Sequence, residues 1–119
     1  MQAVRNNKLN IILNDFVTEC STVFNEKLYD IRLFGSYARG DYNEESDIDI
    51  MVILDVSAFE ARGFRKDICR TAATLELKHN VTISPIIYGK EEYESRKSFG
   101  FCKNVEVEGV SQFVGQTYA

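Results

Sequence analysis

The chain has 119 residues, of which 45% are hydrophobic and 27% charged, and a formal net charge of −4. This size and balance predict one globular domain, residues 1–119, with a single core. The negative charge disfavours broad nucleic-acid binding, which relies on lysine and arginine to neutralise phosphates. No apolar run approaches the ~20 residues of a membrane span, and the N-terminus lacks the pattern of a secretion signal.

The cysteines suggest a reducing environment. Cys20, Cys69 and Cys102 are odd in number and far apart, and they form no CxxC pair. That pattern disfavours both a disulfide framework and a zinc site. We therefore expect a cytoplasmic protein whose thiols carry no chemistry.

The first half of the chain predicts one helix and two strands. An amphipathic helix is expected from about Asn6 to Lys27, because apolar residues recur there at steps of three and four. Strand character follows over Tyr29–Phe34 and ends at a glycine and a serine, before a short helix or turn at residues 37–39. The run Asp47–Leu54 alternates and then becomes continuously apolar, which predicts a strand buried on both faces at its far end.

The second half predicts a helix, a strand and two short helices. Ser57 followed by Glu60 has the spacing of a capping box, so a helix should run from there to about Lys78. The next strand is expected at residues 81–88, and Pro85 within it indicates an edge strand or a bulge, since proline donates no ladder hydrogen bond.

The C-terminal part predicts a short exposed helix at residues 90–98, then another over residues 99–114 that is broken near Gly109. Taken together, the elements predict an α+β protein of two layers, a small mixed β-sheet with helices packed on it.

Two aspartates stand at the start of the second strand. Residues at i and i+2 of a strand point to the same face, so Asp47 and Asp49 should project side by side while Ile48 and Ile50 enter the core. Two neighbouring carboxylates repel and raise each other's pKa. A cation between them relieves that repulsion, and hard oxygen ligands of this kind suit Mg²⁺ with substrate phosphates.

Gly35 and Ser36 supply the matching phosphate site. A tight turn directly after a strand brings backbone N–H groups and the Ser36 hydroxyl to one place, where they can bind phosphate oxygens. Gly35 has no Cβ, so an anion can approach the main chain closely. A phosphate site beside metal carboxylates is what metal-assisted phosphoryl or nucleotidyl transfer requires.

The pattern as a whole is far rarer than a bare DxD. A strand, Gly35-Ser36, ten residues, Asp47-x-Asp49 and then "IMVIL" follow one another. This string resembles the minimal nucleotidyltransferases of the DNA polymerase β-like superfamily, whose signature is GSx10DxD. The stretch "GSYARGDYNEESDIDIMV" is also similar to the family's wider pattern, and the resemblance extends over essentially the whole chain.

The resemblance implies transfer of a nucleoside monophosphate, AMP from ATP in the first instance, to an acceptor hydroxyl with release of pyrophosphate. Gly35 and Ser36 would then hold the β- and γ-phosphates, and Asp47 and Asp49 would hold Mg²⁺. Arg39 is usual in the family pattern, so it is a candidate phosphate ligand, with a surface ion pair as the equal alternative. Ser46 is expected to fix the strand entry.

One family feature is missing. Members with two-metal chemistry carry a third carboxylate on the following strand, whereas this chain has "VTISPIIY" there. Ser84 and Thr82 occupy the same-face positions, and Ser84 is nearer the middle of the strand. A hydroxyl can ligate Mg²⁺ weakly but cannot act as a general base near neutral pH, so we expect one well-held metal.

Other candidates have ordinary explanations as well. His79, the only histidine, should sit at a helix C-terminus or contact substrate. Four aromatic residues could line a base-binding wall or pack in the core and at the sheet edge; they are Tyr88, Tyr93, Phe99 and Phe101.

Two functions remain open at this point. The chain has no residues left for an acceptor-binding domain, so the resemblance implies a partner, a small helical HEPN-type protein in a toxin–antitoxin pair. In the first hypothesis the chain transfers a nucleotide to that partner. In the second it is a nucleotide-binding module that neutralises the partner by contact alone. The aspartate pair favours the first hypothesis, and the missing carboxylate favours the second.

Overall fold

The computed structural model describes residues 6–112, which form helices and strands that largely alternate along the chain. The helices are α1 (Asn7–Phe24), α2 (Ser36–Arg39), α3 (Ala58–Gly63), α4 (Arg65–His79), α5 (Lys90–Arg96) and α6 (Gly100–Glu108). The strands are β1 (Leu28–Phe34), β2 (Ile48–Leu54), β3 (Ile83–Gly89) and β4 (Val110–Ser111). No helix among the described residues is long and apolar enough to cross a membrane.

The strands form one sheet in the order β3-β2-β1-β4. β1 pairs antiparallel with both β2 and β4, while β2 pairs parallel with β3. The predicted mixed sheet of an α+β protein is thereby confirmed. β3 is an edge strand of this sheet. An edge position tolerates Pro85, which has no N–H to donate to a neighbouring strand, so the edge-strand prediction is correct as well.

The two faces of the sheet carry separate cores. On one face the predicted apolar stripe of α1 packs with α4 against alternate residues of β1 and β2, forming the larger core. On the other face Met51 and Ile53 pack against Tyr93 of α5 and against Cys102 and Val105 of α6. The expected single core is therefore two, and the aspartate side of β2 is covered by α5 and α6.

Two predicted helices have different limits. α1 ends at Phe24 because Asn25 adopts a φ of 52°, and residues 25–27 form a 3-10 turn instead of continuing the helix to Lys27. The single helix expected from Ser57 to Lys78 is wrong: α3 and α4 meet at Phe64, which has non-helical backbone angles. The capping box of Ser57 and Glu60 is confirmed.

The C-terminal region also differs from its prediction. Instead of one broken helix over residues 99–114, α6 ends at Glu108 and a short strand, β4, follows Gly109. β4 pairs with β1 through Arg32 and Leu33. Alternation over two residues is too short to be read from sequence. Residues 113–114 of that prediction lie outside the described residues.

Candidate active site

Gly35 makes the turn between β1 and α2. Its φ of 76° and ψ of −155° belong to a region that only glycine populates freely. The amides of Ala38 and Arg39 both donate to the Gly35 carbonyl, which fixes the turn. As a result Ser36 is the first residue of α2, directly beside the end of the strand.

The same glycine packs against the second aspartate. Phe34 pairs with Asp49 across β1 and β2, so the residue after Phe34 lies next to the Asp49 side chain. A Cβ on Gly35 would lie 3.0 Å from Asp49 Cγ and would overlap a carboxylate oxygen. The predicted phosphate turn and the predicted metal carboxylate therefore meet at one point.

Asp47 lies immediately before β2 and is exposed, whereas the predicted strand began at Asp47 itself. Ile48, between the aspartates, is buried in the larger core. The strand entry is held by Ser46, whose Oγ accepts from the Asn43 amide at 3.0 Å. That contact agrees with the structural role expected for Ser46.

The electrostatics of the pair are asymmetric. Burial raises the pKa of Asp49 above its ordinary value, and the negative charge of Asp47 raises it further. The positive charge of Arg39 opposes both effects. Burial and the neighbouring Asp47 charge therefore both disfavour ionisation of the Asp49 carboxyl, and a bound cation would oppose both effects.

Ser84 and Thr82 differ in position. Ser84 pairs directly with Asp49 in the parallel register of β2 and β3, so their side chains are neighbours on one face. Thr82 precedes β3, which begins at Ile83, and its carbonyl accepts from the Ile48 amide. Of the two positions, only Ser84 lies beside Asp49 within the sheet.

Arg39 forms a bridge between α2 and α6. Its Nη1 lies 3.0 Å from Glu108 Oε1, and its Nε lies 3.3 Å from Asp41 Oδ2. Hydrogen bonds to these two carboxylates raise the pKa of Arg39 above its already high value. The ion-pair alternative is therefore observed, with the guanidinium at the edge of the aspartate site.

A cleft of about 350 Å³ collects these groups. It is lined by Gly35, Ser36, Arg39 and Asp49 on one side and by residues of α6 on the other. A larger cavity of about 620 Å³ lies on the α1 side of the sheet and contains neither Gly35 nor Asp49. We place the candidate active site in the smaller cleft because the Gly35 turn and the Asp49 carboxylate meet there.

The sequence did not point to most of the far wall. From α6 the cleft is lined by Phe101, Asn104, Val105 and Glu108. Their spacing of three, one and three residues places them on one helix face, which is the signal that could have grouped them. Among them only Phe101 was a candidate.

The remaining candidates lie elsewhere. His79 ends α4, and its Nε2 lies 2.8 Å from Asp15 Oδ2 of α1, so it joins two helices away from the cleft. Tyr93 is buried in the smaller core and donates to Glu106. All three cysteines are free, and burial raises the pKa of the Cys20 thiol to about 12.

The number of predicted carboxylate ligands is consistent with one magnesium ion. No group of three or more His, Cys, Asp or Glu side chains placed to hold a metal occurs within residues 6–112. Mg²⁺ commonly takes one or two carboxylates and fills its other positions with water and substrate phosphates. Asp47 and Asp49 fit that mode in number, and the Gly35 turn lies beside Asp49.

Comparison with known proteins agrees with this geometry. The family model described as "Nucleotidyltransferase domain" matches residues 13–109. This chain belongs to that family. The matched nucleotidyltransferase segment contains the Gly35 turn, both aspartates and α6, so every wall of the cleft lies within it.

Relatives of this nucleotidyltransferase include two candidate protein adenylyltransferases of Methanocaldococcus jannaschii. One is 38% identical over 82% of this chain and 90% of its own length. The other is 42% identical over 66% of this chain and 78% of its own length. A solved toxin–antitoxin complex with AMP-PNP shares the fold, with a TM-score of 0.55 and 22% identity over 83% of this chain and 70% of the other.

Proposed function

We propose that this nucleotidyltransferase moves AMP from ATP to a hydroxyl of a partner protein, with Mg²⁺ held by Asp47 and Asp49. The observation that carries the proposal is the packing of Gly35 against the Asp49 carboxylate, because Gly35 is our candidate phosphate turn and Asp49 our candidate metal ligand. The naming of two relatives as candidate protein adenylyltransferases supports adenylyl transfer to protein.

The partner in this proposal is a HEPN-type small helical protein of a toxin–antitoxin pair. A fold neighbour is a toxin–antitoxin complex with AMP-PNP, which supports both a protein partner and an adenine nucleotide. In this proposal the acceptor hydroxyl is supplied by that partner protein.

In the proposed reaction the acceptor oxygen bonds to the α-phosphorus, while the bond from that phosphorus to the oxygen bridging the α- and β-phosphates breaks. The Gly35 turn and the Ser36 hydroxyl bind the departing pyrophosphate, and Asp47 and Asp49 would hold Mg²⁺. When bound, Mg²⁺ supplies positive charge to the developing negative charge of the transition state. The proton of the acceptor hydroxyl passes to an aspartate, to water or to a group of the acceptor. Ser84 is not the base, because a serine hydroxyl cannot accept a proton near neutral pH.

The direct test uses ATP labelled at either the α- or the γ-phosphate, with Mg²⁺ and a cognate HEPN-type protein. We expect label on the partner from the α position only, and none with the Asp47→Asn/Asp49→Asn double variant. Glu45→Gln is the matched control, since Glu45 is an exposed carboxylate in the preceding loop and its side chain lines the other cavity. Label from the γ position, or full transfer by the double variant, would contradict the proposal.

A second function has one observation in its favour. The strand position beside Asp49 holds Ser84 and not a carboxylate, which favours a nucleotide-binding module that neutralises its partner by contact. In that case the Asp47→Asn/Asp49→Asn variant would still suppress the partner's toxicity, and the partner's mass would not change. If the chain instead transfers a nucleotide, the same double variant should lose both the suppression of toxicity and the added mass of AMP on the partner.

A further inference from the structure

The α6 wall of the cleft differs in character from the wall formed by β1 and α2. On the α2 side lie the Gly35 turn, Ser36 and Arg39, which suit phosphates. On the α6 side, Phe101 and Asn104 lie one helical turn apart and face the same cleft. An aromatic ring and an amide at this spacing are not needed for phosphates, but they match the two properties of a nucleobase, a flat π-face and a hydrogen-bonding edge.

Phe101 is held in place and is still accessible. Its ring meets Phe34 edge to face, with centroids 5.5 Å apart and an interplanar angle of 82°. Phe34 pairs with Asp49, so this contact ties the ring to the aspartate site. Even so, 48% of Phe101 remains exposed. A fixed aromatic ring with open surface in a cleft can stack on a base, and stacking tolerates every base because each has a π-face.

Asn104 adds the possibility of discrimination. It lines the cleft and is exposed, and its side chain makes no hydrogen bond within the described part of the chain, 6–112. A carboxamide has both an acceptor and donors. Adenine presents a donor at N6 beside an acceptor at N7, which a carboxamide matches with two bonds, whereas guanine presents two acceptors at the same edge.

We propose that Phe101 and Asn104 form the base-binding wall of this site and that Asn104 makes it prefer adenine over guanine. The inference rests on the proposed nucleotidyl transfer and deepens it, because it assigns base selection to α6 and phosphate binding to the β1–α2 turn. One wall of the cleft then binds the base of the nucleotide, and the other binds its phosphates.

The test compares binding of ATP, GTP and inorganic tripolyphosphate, each with Mg²⁺, by calorimetry. Phe101→Ala should weaken ATP and GTP alike by about tenfold, within the range expected for one lost stacking contact, and leave tripolyphosphate unchanged. Phe101→Tyr should restore both nucleotides because the ring is retained. Asn104→Leu should weaken ATP by about tenfold and not GTP, since one good bidentate contact discriminates by that order.

Lys103→Ala is the matched control, because Lys103 is an exposed α6 residue beside Asn104 that does not line the cleft. It should leave all three affinities unchanged. An ATP-to-GTP ratio that Asn104→Leu does not alter would overturn the assignment of Asn104. Equal loss of tripolyphosphate binding in Phe101→Ala would overturn the assignment of Phe101. In either case wild-type binding of ATP would leave the proposed function standing, whereas no binding of any triphosphate would overturn both.

Discussion

Gly35 shows how much of this site depends on one missing side chain. The residue is constrained twice, by a positive φ and by the Asp49 carboxylate that occupies the space of a Cβ. Gly40, which ends α2, has a positive φ of 90° but nothing within 4 Å of a built Cβ. Substitution at Gly40 therefore tests backbone strain alone, whereas substitution at Gly35 tests strain together with steric overlap.

Gly35→Ala should lower the free energy of unfolding by more than the ~1–3 kcal/mol of such backbone strain, because the carboxylate must also move. Gly40→Ala should cost only the strain. Urea denaturation measures both. The variant at Gly35 should also lose the rise in melting temperature that we expect Mg²⁺ and ATP to give the wild type. Equal stability losses in the two variants would show that Asp49 does not press on Gly35.

The raised pKa of Asp49 gives a dependence on pH. Because its folded pKa lies above its unfolded value, ionisation on raising the pH through that interval costs stability when no metal is present. Asp49→Asn should therefore be more stable than the wild type at neutral pH, and the difference should vanish at a pH below the ordinary carboxyl pKa. Thermal melts in metal-free buffer measure this. Greater stability of the wild type at neutral pH would contradict the burial and charge argument.

The register of β2 and β3 decides which hydroxyl could complete the proposed metal site. Ser84→Asp would place a third carboxylate beside Asp49. It should tighten Mg²⁺ binding in the presence of ATP and lower the melting temperature without metal, since three like charges then crowd together.

Thr82→Asp is the control for that register, because Thr82 precedes β3 and is exposed. It should change neither quantity by much. Calorimetric titration of Mg²⁺ and metal-free melts, run on both variants, provide the comparison. The contrary result is that Thr82→Asp tightens Mg²⁺ binding and lowers the metal-free melting temperature more than Ser84→Asp does. That result would place the third-ligand position outside the strand.

The bridge between α2 and α6 spans the cleft through Arg39 and Glu108. While Glu108 holds the guanidinium at 3.0 Å, a phosphate must compete for it. Glu108→Gln should therefore tighten tripolyphosphate binding severalfold, because a charged hydrogen-bond partner is replaced by a neutral one. Arg39→Gln should weaken binding in the same assay. Glu94→Gln is a suitable control, since Glu94 of α5 forms a comparable exposed ion pair with Lys97, the residue that follows this helix. Unchanged affinity in Glu108→Gln would mean that Arg39 does not reach the phosphates.

The two sides of the sheet should differ in stability. The larger core joins α1 and α4 to the sheet through many buried side chains, whereas the cluster between the other face and α5 and α6 has five buried members within residues 6–112. Local opening depends on how much apolar contact must be broken. The α6 wall of the cleft is thus built on the smaller core.

Amide hydrogen exchange should reveal this difference. We expect faster exchange in α6 than in α1, β1 or β2, and added protection in α6 when ATP and Mg²⁺ bind. The α1 amides serve as the internal reference, because α1 does not line the cleft. Protection of α6 equal to that of β2 in the free protein would contradict the division into two cores.

The sequence by itself determined the local parts of this molecule. The stripe of α1, the capping box at Ser57 and the spacing of Gly35-Ser36 from Asp47 and Asp49 are short-range signals, and periodicity, turn chemistry and side-chain alternation are sufficient to read them. The break at Phe64 was missed because apolar spacing continues across it, and β4 was missed because two residues have no period.

Only the tertiary structure decided what stands across from those parts. The contact of Gly35 with Asp49 follows from the antiparallel pairing of β1 and β2, and the position of Ser84 follows from the parallel register of β3. The α6 wall, with Phe101, Asn104 and Glu108, lies more than 50 residues from the aspartates in sequence. Contacts over that separation are set by how the helices pack on the sheet, and no local pattern along the chain encodes which side chains will then face one another.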